Sequence, residues 1–128
     1  HNAKCADFLV FQGERIDDHD RRFKTFQRAV SISPGHRNAS MLLSYEYLID
    51  ANDLLNQLAL MPTPVRYIPG SGRAEKLVEQ AARALESARE TFPPNEDLEK
   101  YDKRLQKQAD RFRIDLNRFT YRDEEGPP

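Results

Sequence analysis

The sequence has one cysteine, Cys5, and no tryptophan among its 128 residues. A single cysteine cannot form an intrachain disulfide, and it excludes a cysteine-rich zinc site. This scarcity favours a reducing compartment and thus a cytoplasmic location, with an exported domain as the alternative. No apolar run approaches the ~20 residues of a membrane-spanning helix, and no signal peptide is visible, so we expect no membrane insertion. Because the sequence begins at His1, we expect a piece of a longer protein.

An excess of either charge is also absent, since 20 Lys and Arg residues stand against 21 Asp and Glu residues. A nucleic-acid-binding domain needs a basic surface that neutralises phosphates. The one small basic cluster has acidic neighbours at Asp17, Asp18 and Asp20; its members are Arg21, Arg22, Lys24, Arg28 and Arg37. We therefore expect no nucleic-acid partner.

Alternation of apolar and polar residues, the pattern of a half-buried strand, is missing as well. Apolar residues instead recur every three or four positions, which predicts helices. The predicted helices cover residues 2–13, 37–60, 74–92 and 96–119, and a second helix between the first two of these carries Phe23, Phe26 and Val30 and ends at SPGH, residues 33–36. Asp17 or Asp18 is the expected N-cap of the second helix and Asn95 that of the last. We predict one all-α domain over residues 1–121, with an inserted Pro/Gly loop at 61–73 and a disordered tail at 122–128.

Two of these helices end with the same formula, in which an apolar residue is followed by an alanine and then a proline. Its members are Phe26, Ala29 and Pro34 in the first case and Leu85, Ala88 and Pro93 in the second. Ala81 precedes the second set, and the start of the third helix carries Ser40, Leu43, Ser44 and Tyr47. These spacings resemble the tetratricopeptide repeat (TPR), a 34-residue helix-turn-helix unit. The resemblance covers residues 20–95 and implies antiparallel helix pairs with a C-terminal capping helix; another helical bundle is the alternative.

The resemblance implies a protein–protein interaction module that holds a peptide or helix of a partner protein in a concave surface. The implied concave positions on the third helix are Asn38, Met41, Tyr45 and Ile49. Of the Lys, Asn and Arg side chains with which the family clamps a terminal carboxylate, only Asn38 is matched. The alternative is that Met41, Tyr45 and Ile49 belong to the core.

The last predicted helix offers a second interpretation, because its apolar residues follow a near-heptad seam. Its final turns, with Phe112 and Leu116, are expected to project and to be available to a partner. In the alternative function, the protein is an assembly subunit that forms a homo-oligomer through this helix; a plain capping role is the simplest interpretation. Tyr67, an apolar residue within the inserted loop, either folds back onto the core or contacts a partner.

Residues for catalysis or metal binding do not converge in the sequence. The stretch DDHD at residues 17–20 is expected to be a solvated helix start, because adjacent residues rarely converge on one metal ion. The stretch PGSGRAEK lacks the phosphate-loop pattern and a preceding strand, so it predicts a hinge. We expect a binding protein without enzymatic activity, metal or cofactor.

Overall fold

The computed structural model describes residues 2–64, 72–92 and 96–119. It contains five α-helices: α1 (Asn2–Gly13), α2 (His19–Ile32), α3 (Arg37–Leu60), α4 (Gly72–Thr91) and α5 (Glu96–Arg111). A short 3-10 helix, Leu116–Phe119, follows α5. No strand occurs in these three ranges, so the predicted all-α class is confirmed.

Local sequence signals explain the helix ends near the first two connections. The Asp18 carboxylate accepts a 2.9 Å hydrogen bond from the Arg21 amide and caps α2. Of the two residues predicted as alternatives for this cap, Asp17 and Asp18, the second is the one observed. The imidazole of His36 caps α3, because its Nδ1 accepts a 3.1 Å hydrogen bond from the Ala39 amide. Its Nε2 lies 2.6 Å from Asp7 of α1, so this cap also connects α1 to α3. The predicted cap Asn95 lies outside the described residues.

The helix α3 is the centre of the fold, since it packs against α2, α4 and α5. The buried residues of α3 belong to both core clusters, as expected for a helix with neighbours on more than one side. Ser44, near the start of α3, donates a 3.0 Å hydrogen bond to the carbonyl oxygen of Ala88, near the end of α4. The two helices are joined at their other ends, so they run antiparallel and approach closely where both side chains are small.

The buried apolar residues form two clusters that meet along α3. The N-terminal cluster joins α1, α2 and the first turn of α3; its members are Ala6, Leu9, Val10, Ala29 and Ala39. The larger cluster joins the rest of α3 with α4 and α5, and it includes Leu55, Leu58, Val78, Leu85 and Leu98. These positions follow the predicted helical period, and they pack α3, α4 and α5 against one another.

Gly13 ends α1 at a point where the ring of Phe26 leaves no room for a side chain. A Cβ atom built on Gly13 would lie 2.5 Å from Cε1 of Phe26, and only 1% of Phe26 is exposed. Such a distance is far below normal van der Waals contact. The glycine is therefore required for close packing between α1 and α2.

The predicted last helix, 96–119, is wrong in its C-terminal part, because α5 ends at Arg111. Arg113 has φ of 59°, the left-handed conformation that ends many helices. Its amide donates to Asp110 O (3.2 Å), and the amide of Ile114 donates to Ala109 O (2.8 Å), which together form a Schellman motif. The chain then turns back, and the 3-10 helix packs against α4 through an ion pair between Arg118 and Glu75.

Candidate functional site

A groove opens between α3 and α5, with a cavity volume of about 400 Å³. Its wall on α3 consists of Tyr45, Leu48 and Ile49. Its wall on α5 consists of Asp97, Lys100, Tyr101 and Arg104. We call these seven residues the α3–α5 groove. It combines aromatic and aliphatic side chains with two cations and one carboxylate.

The groove lies at one end of the α3–α5 contact because two arginines of α5 hold the other end closed. Arg104 donates to the side-chain oxygens of Asn52 at 2.9 Å and Asn56 at 3.1 Å. Arg111 donates to the carbonyl oxygens of Leu58 at 3.0 Å and Met61 at 2.6 Å, at the end of α3. The Leu58 carbonyl also accepts a 3.1 Å hydrogen bond from the Met61 amide, so Arg111 adds a second bond at the last turn of α3. The positions of both groove walls are thereby fixed.

Tyr45 and Ile49, two of the residues implied by the sequence resemblance, are at the surface of this groove. Tyr45 is 40% exposed and Ile49 is 41% exposed, so neither is a core residue. One helical turn separates them, which places both side chains on one face of α3. The alternative interpretation, in which they are buried, is thus wrong for both.

The remaining predicted site residues lie elsewhere. Asn38 is exposed near the start of α3 and Met41 is half-buried; neither is among the residues that line the groove. Tyr67 falls outside the described residues. Phe112 is only 8% exposed and belongs to the larger core cluster, and Leu116 is half-buried against that cluster. The prediction that these two residues project for a partner is wrong, because the turn at Arg113 folds them back.

The groove has more positive charge than its own carboxylate can balance. Lys100 and Arg104 form no ion pair with any carboxylate in the described part of the chain. Asp97, at the start of α5, is the one acidic residue of the groove. The Arg104 guanidinium lies 5.2 Å from the ring centroid of Tyr101, a cation–π distance that orients both groups.

A second polar cluster joins α2 to α3, and sequence analysis did not anticipate it. The imidazole of His19 lies 2.6 Å from Glu46 through Nδ1 and 2.6 Å from Asp50 through Nε2. Glu46 is buried, and its other oxygen accepts a 2.8 Å hydrogen bond from Arg22 Nε. Both ring nitrogens face carboxylate oxygens, an arrangement that fits the imidazolium, which donates from both. The interpretation of DDHD as a solvated helix start is therefore wrong for the half-buried His19.

The electrostatics of this cluster favour the charged form of His19. Partial burial alone lowers its pKa, but the hydrogen bonds to Asp50 and Glu46, together with their charges, outweigh burial and raise the pKa above its usual value of 6.5. Glu46 likewise raises the pKa of Arg22. Both nitrogens of His19 are committed to structural bonds, so the cluster is built to hold α2 against α3. Within the described ranges, no group of three or more His, Cys, Asp or Glu residues is arranged to hold a metal ion.

Comparisons with known proteins give this site no precedent. No protein-family model matches the chain, and no significant similarity to a curated protein or to a solved structure was found. The resemblance to the tetratricopeptide repeat therefore stays a prediction. In the described ranges, none of the helices is both long and apolar enough to cross a membrane.

Proposed function

We propose that the protein is a protein–protein interaction module of the TPR-like type, and that the α3–α5 groove binds a peptide or helix of a partner protein. One observation carries this proposal: Tyr45 and Ile49 are both about two-fifths exposed within a groove whose walls are fixed by Arg104 and Arg111. Exposed aromatic and aliphatic side chains on a rigid wall can bury apolar area without a cost for reorganising the site.

The groove is more suited to binding than to catalysis. The residues that line it include no histidine, cysteine or serine, and the described cluster around His19 has both imidazole nitrogens occupied. We therefore assign the α3–α5 groove a role in binding a partner protein rather than in catalysis. A partner that inserts an apolar side chain between Tyr45 and Tyr101 would also find Lys100 at the rim.

Self-association through the last helix, the alternative function, loses its principal surface. Phe112, in the C-terminal part of its seam, is buried in the core of its own chain, and Leu116 packs against that core. Light-scattering mass over a hundredfold dilution separates the two functions. We expect a monomer at every concentration, and a mass that rises with concentration would favour the assembly subunit.

A selection from a random peptide library displayed on phage tests the groove. The full chain is the bait, and the Tyr45→Glu/Ile49→Glu variant is used for counter-selection. We expect enriched peptides that bind the wild-type chain and lose at least about tenfold in affinity on the double variant. Leu60→Glu is the matched control, because Leu60 is an apolar residue of α3, 87% exposed, that does not line the groove. Peptides that bind all three proteins equally would contradict the proposal.

A further inference from the structure

A second apolar surface is formed by α1 and α2. Phe8 is 60% exposed and Phe11 is 53% exposed, and they line a cavity of about 530 Å³ together with Gln12, Arg15, Ile16, Arg21 and Thr25. We call this set the α1–α2 surface. It shares no lining residue with the α3–α5 groove.

The helix α1 has apolar residues on two sides but packs within the described chain on only one. Ala6, Leu9 and Val10 are buried against α2 and α3, whereas Phe8 and Phe11 are turned to the surface. A helix with two apolar sides is typical of one that has neighbours on both. Two phenylalanines exposed side by side form a contiguous patch of the kind that marks an interaction site.

Two arginines, Arg15 and Arg21, line this cavity, and no carboxylate lines it. The guanidinium of Arg15 lies 3.5 Å from the ring centroid of Phe11 and donates a 3.0 Å hydrogen bond to the Phe11 carbonyl oxygen. Arg21 and the exposed Arg28 lie on one face of α2, seven residues apart, with Thr25 between them. Within the described part of the chain, none of these three arginines has an ion pair.

The polar groups of the surface favour a helical occupant over an extended one. An extended peptide must satisfy its own backbone amides and carbonyls on the surface that binds it. The neutral polar side chains here are Gln12 and Thr25, and the Thr25 hydroxyl already donates to the carbonyl oxygen of Arg21. A helix satisfies its backbone internally and presents apolar side chains at intervals of three and four residues, which match Phe8 and Phe11.

From this geometry we infer that the α1–α2 surface binds an acidic amphipathic helix of a partner protein. The apolar stripe of that helix packs on Phe8 and Phe11. Its flanking carboxylates pair with Arg15, Arg21 and Arg28, because a guanidinium binds a carboxylate through two parallel hydrogen bonds. The inference is independent of the α3–α5 groove, and it makes the protein an adaptor with two docking surfaces that share no lining residue.

Binding of two designed peptides to the full chain, followed by fluorescence anisotropy, tests this inference. Both peptides have about 18 residues, or five helical turns, with the same leucine stripe. One carries glutamates beside the stripe and the other carries lysines. We expect the acidic peptide to bind with an affinity that falls as salt is added, and the basic peptide to bind at least about tenfold more weakly.

Surface variants assign the binding to these residues. Phe8→Ala and Arg21→Glu are each expected to weaken the acidic peptide at least about tenfold, and both side chains are exposed, so folding is preserved. Leu60→Ala and Lys76→Glu are the matched controls, since both residues are exposed and lie outside this surface. Tyr45→Glu is expected to leave this binding unchanged, which separates it from the α3–α5 groove.

Four outcomes would overturn the inference. The acidic peptide could bind no better than the basic one, or bind Phe8→Ala as well as wild type. Vesicles with anionic lipid could bind the chain in a Phe8-dependent way while the acidic peptide does not, which would assign the surface to membranes. A dimer that Phe8→Ala dissociates would instead assign the surface to a second copy of the chain.

Discussion

The Nδ1 atom of His19 lies 2.6 Å from Oε1 of Glu46, so the first residue of α2 is fixed to a buried carboxylate of α3. This contact joins the N-terminal helix pair to the helix that forms one wall of the α3–α5 groove. Arg22 donates to the second oxygen of Glu46. Two cations from one helix therefore neutralise one buried anion of the next, which offsets the cost of removing that anion from water.

The first prediction concerns pH. Because the pKa of His19 is raised in the folded protein, its stabilising contribution is fully present below the unfolded value of about 6.5 and is lost as pH rises through the folded pKa. Urea unfolding measured at a series of pH values should show a free energy of unfolding that declines as the pH rises from about 6.5 through the folded pKa of His19. His19→Gln should flatten the decline, and an equal decline in the variant would contradict the role of His19.

The second prediction concerns the coupling between Arg22 and Glu46, whose side chains meet at 2.8 Å. A double-mutant cycle with Arg22→Ala and Glu46→Ala should give a coupling energy of about 0.5–3 kcal/mol, because the carboxylate is shielded from solvent. The exposed pair Arg83–Glu79 serves as the comparison and should couple more weakly. Equal coupling in the two cycles would show that burial of Glu46 adds nothing.

The third prediction concerns Gly13. Alanine normally stabilises a helix relative to glycine, but at this position its Cβ would overlap the buried ring of Phe26. We expect Gly13→Ala to lower the free energy of unfolding by about 1–3 kcal/mol, as overpacking does elsewhere. Gly35→Ala is the control, because no atom lies within 4 Å of the added methyl group. Chemical denaturation of both variants checks the prediction, and an unchanged Gly13→Ala protein would refute the packing argument.

The fourth prediction concerns the turn that ends α5. Arg113 adopts a left-handed conformation that costs a side-chain-bearing residue roughly 1–2 kcal/mol and costs glycine almost nothing. Arg113→Gly should therefore raise the free energy of unfolding in urea denaturation. We expect a gain of up to about 1 kcal/mol, because the greater freedom of glycine in the unfolded chain offsets part of the relief. Arg113→Ala keeps the backbone penalty and should not be stabilised. A loss of stability in the glycine variant would mean that α5 continues past Arg111.

The helices of this fold were largely predictable because their signals are local. The period of apolar residues gave the span of α3, Asp18 lies directly before α2, and Pro34 with Gly35 separates α2 from α3. The end of α5 was not predictable in this way. The turn is formed by an arginine rather than the glycine usual there, and apolar residues continue beyond it at a helix-like spacing.

The candidate site was predictable in part. Tyr45 and Ile49 follow from a repeat register on one helix, but their partners on α5 depend on how two distant helices meet. The cluster around His19 depends on the same kind of long-range contact. An acidic residue within an apolar stripe, Glu46, one turn before Asp50, was the available signal; it became meaningful only once His19 and Arg22 were placed opposite.

The central claim is that the α3–α5 groove binds a partner through Tyr45. The most direct measurement is the dissociation constant of a library-selected peptide for the wild type, Tyr45→Glu and Leu60→Glu, with a circular-dichroism melt of each protein. We predict that Tyr45→Glu loses binding while its helicity and melting temperature stay close to wild type. Leu60→Glu should retain peptide binding as well as its helicity and melting temperature. Unchanged binding by a folded Tyr45→Glu protein, or unfolding of that variant, would contradict the account.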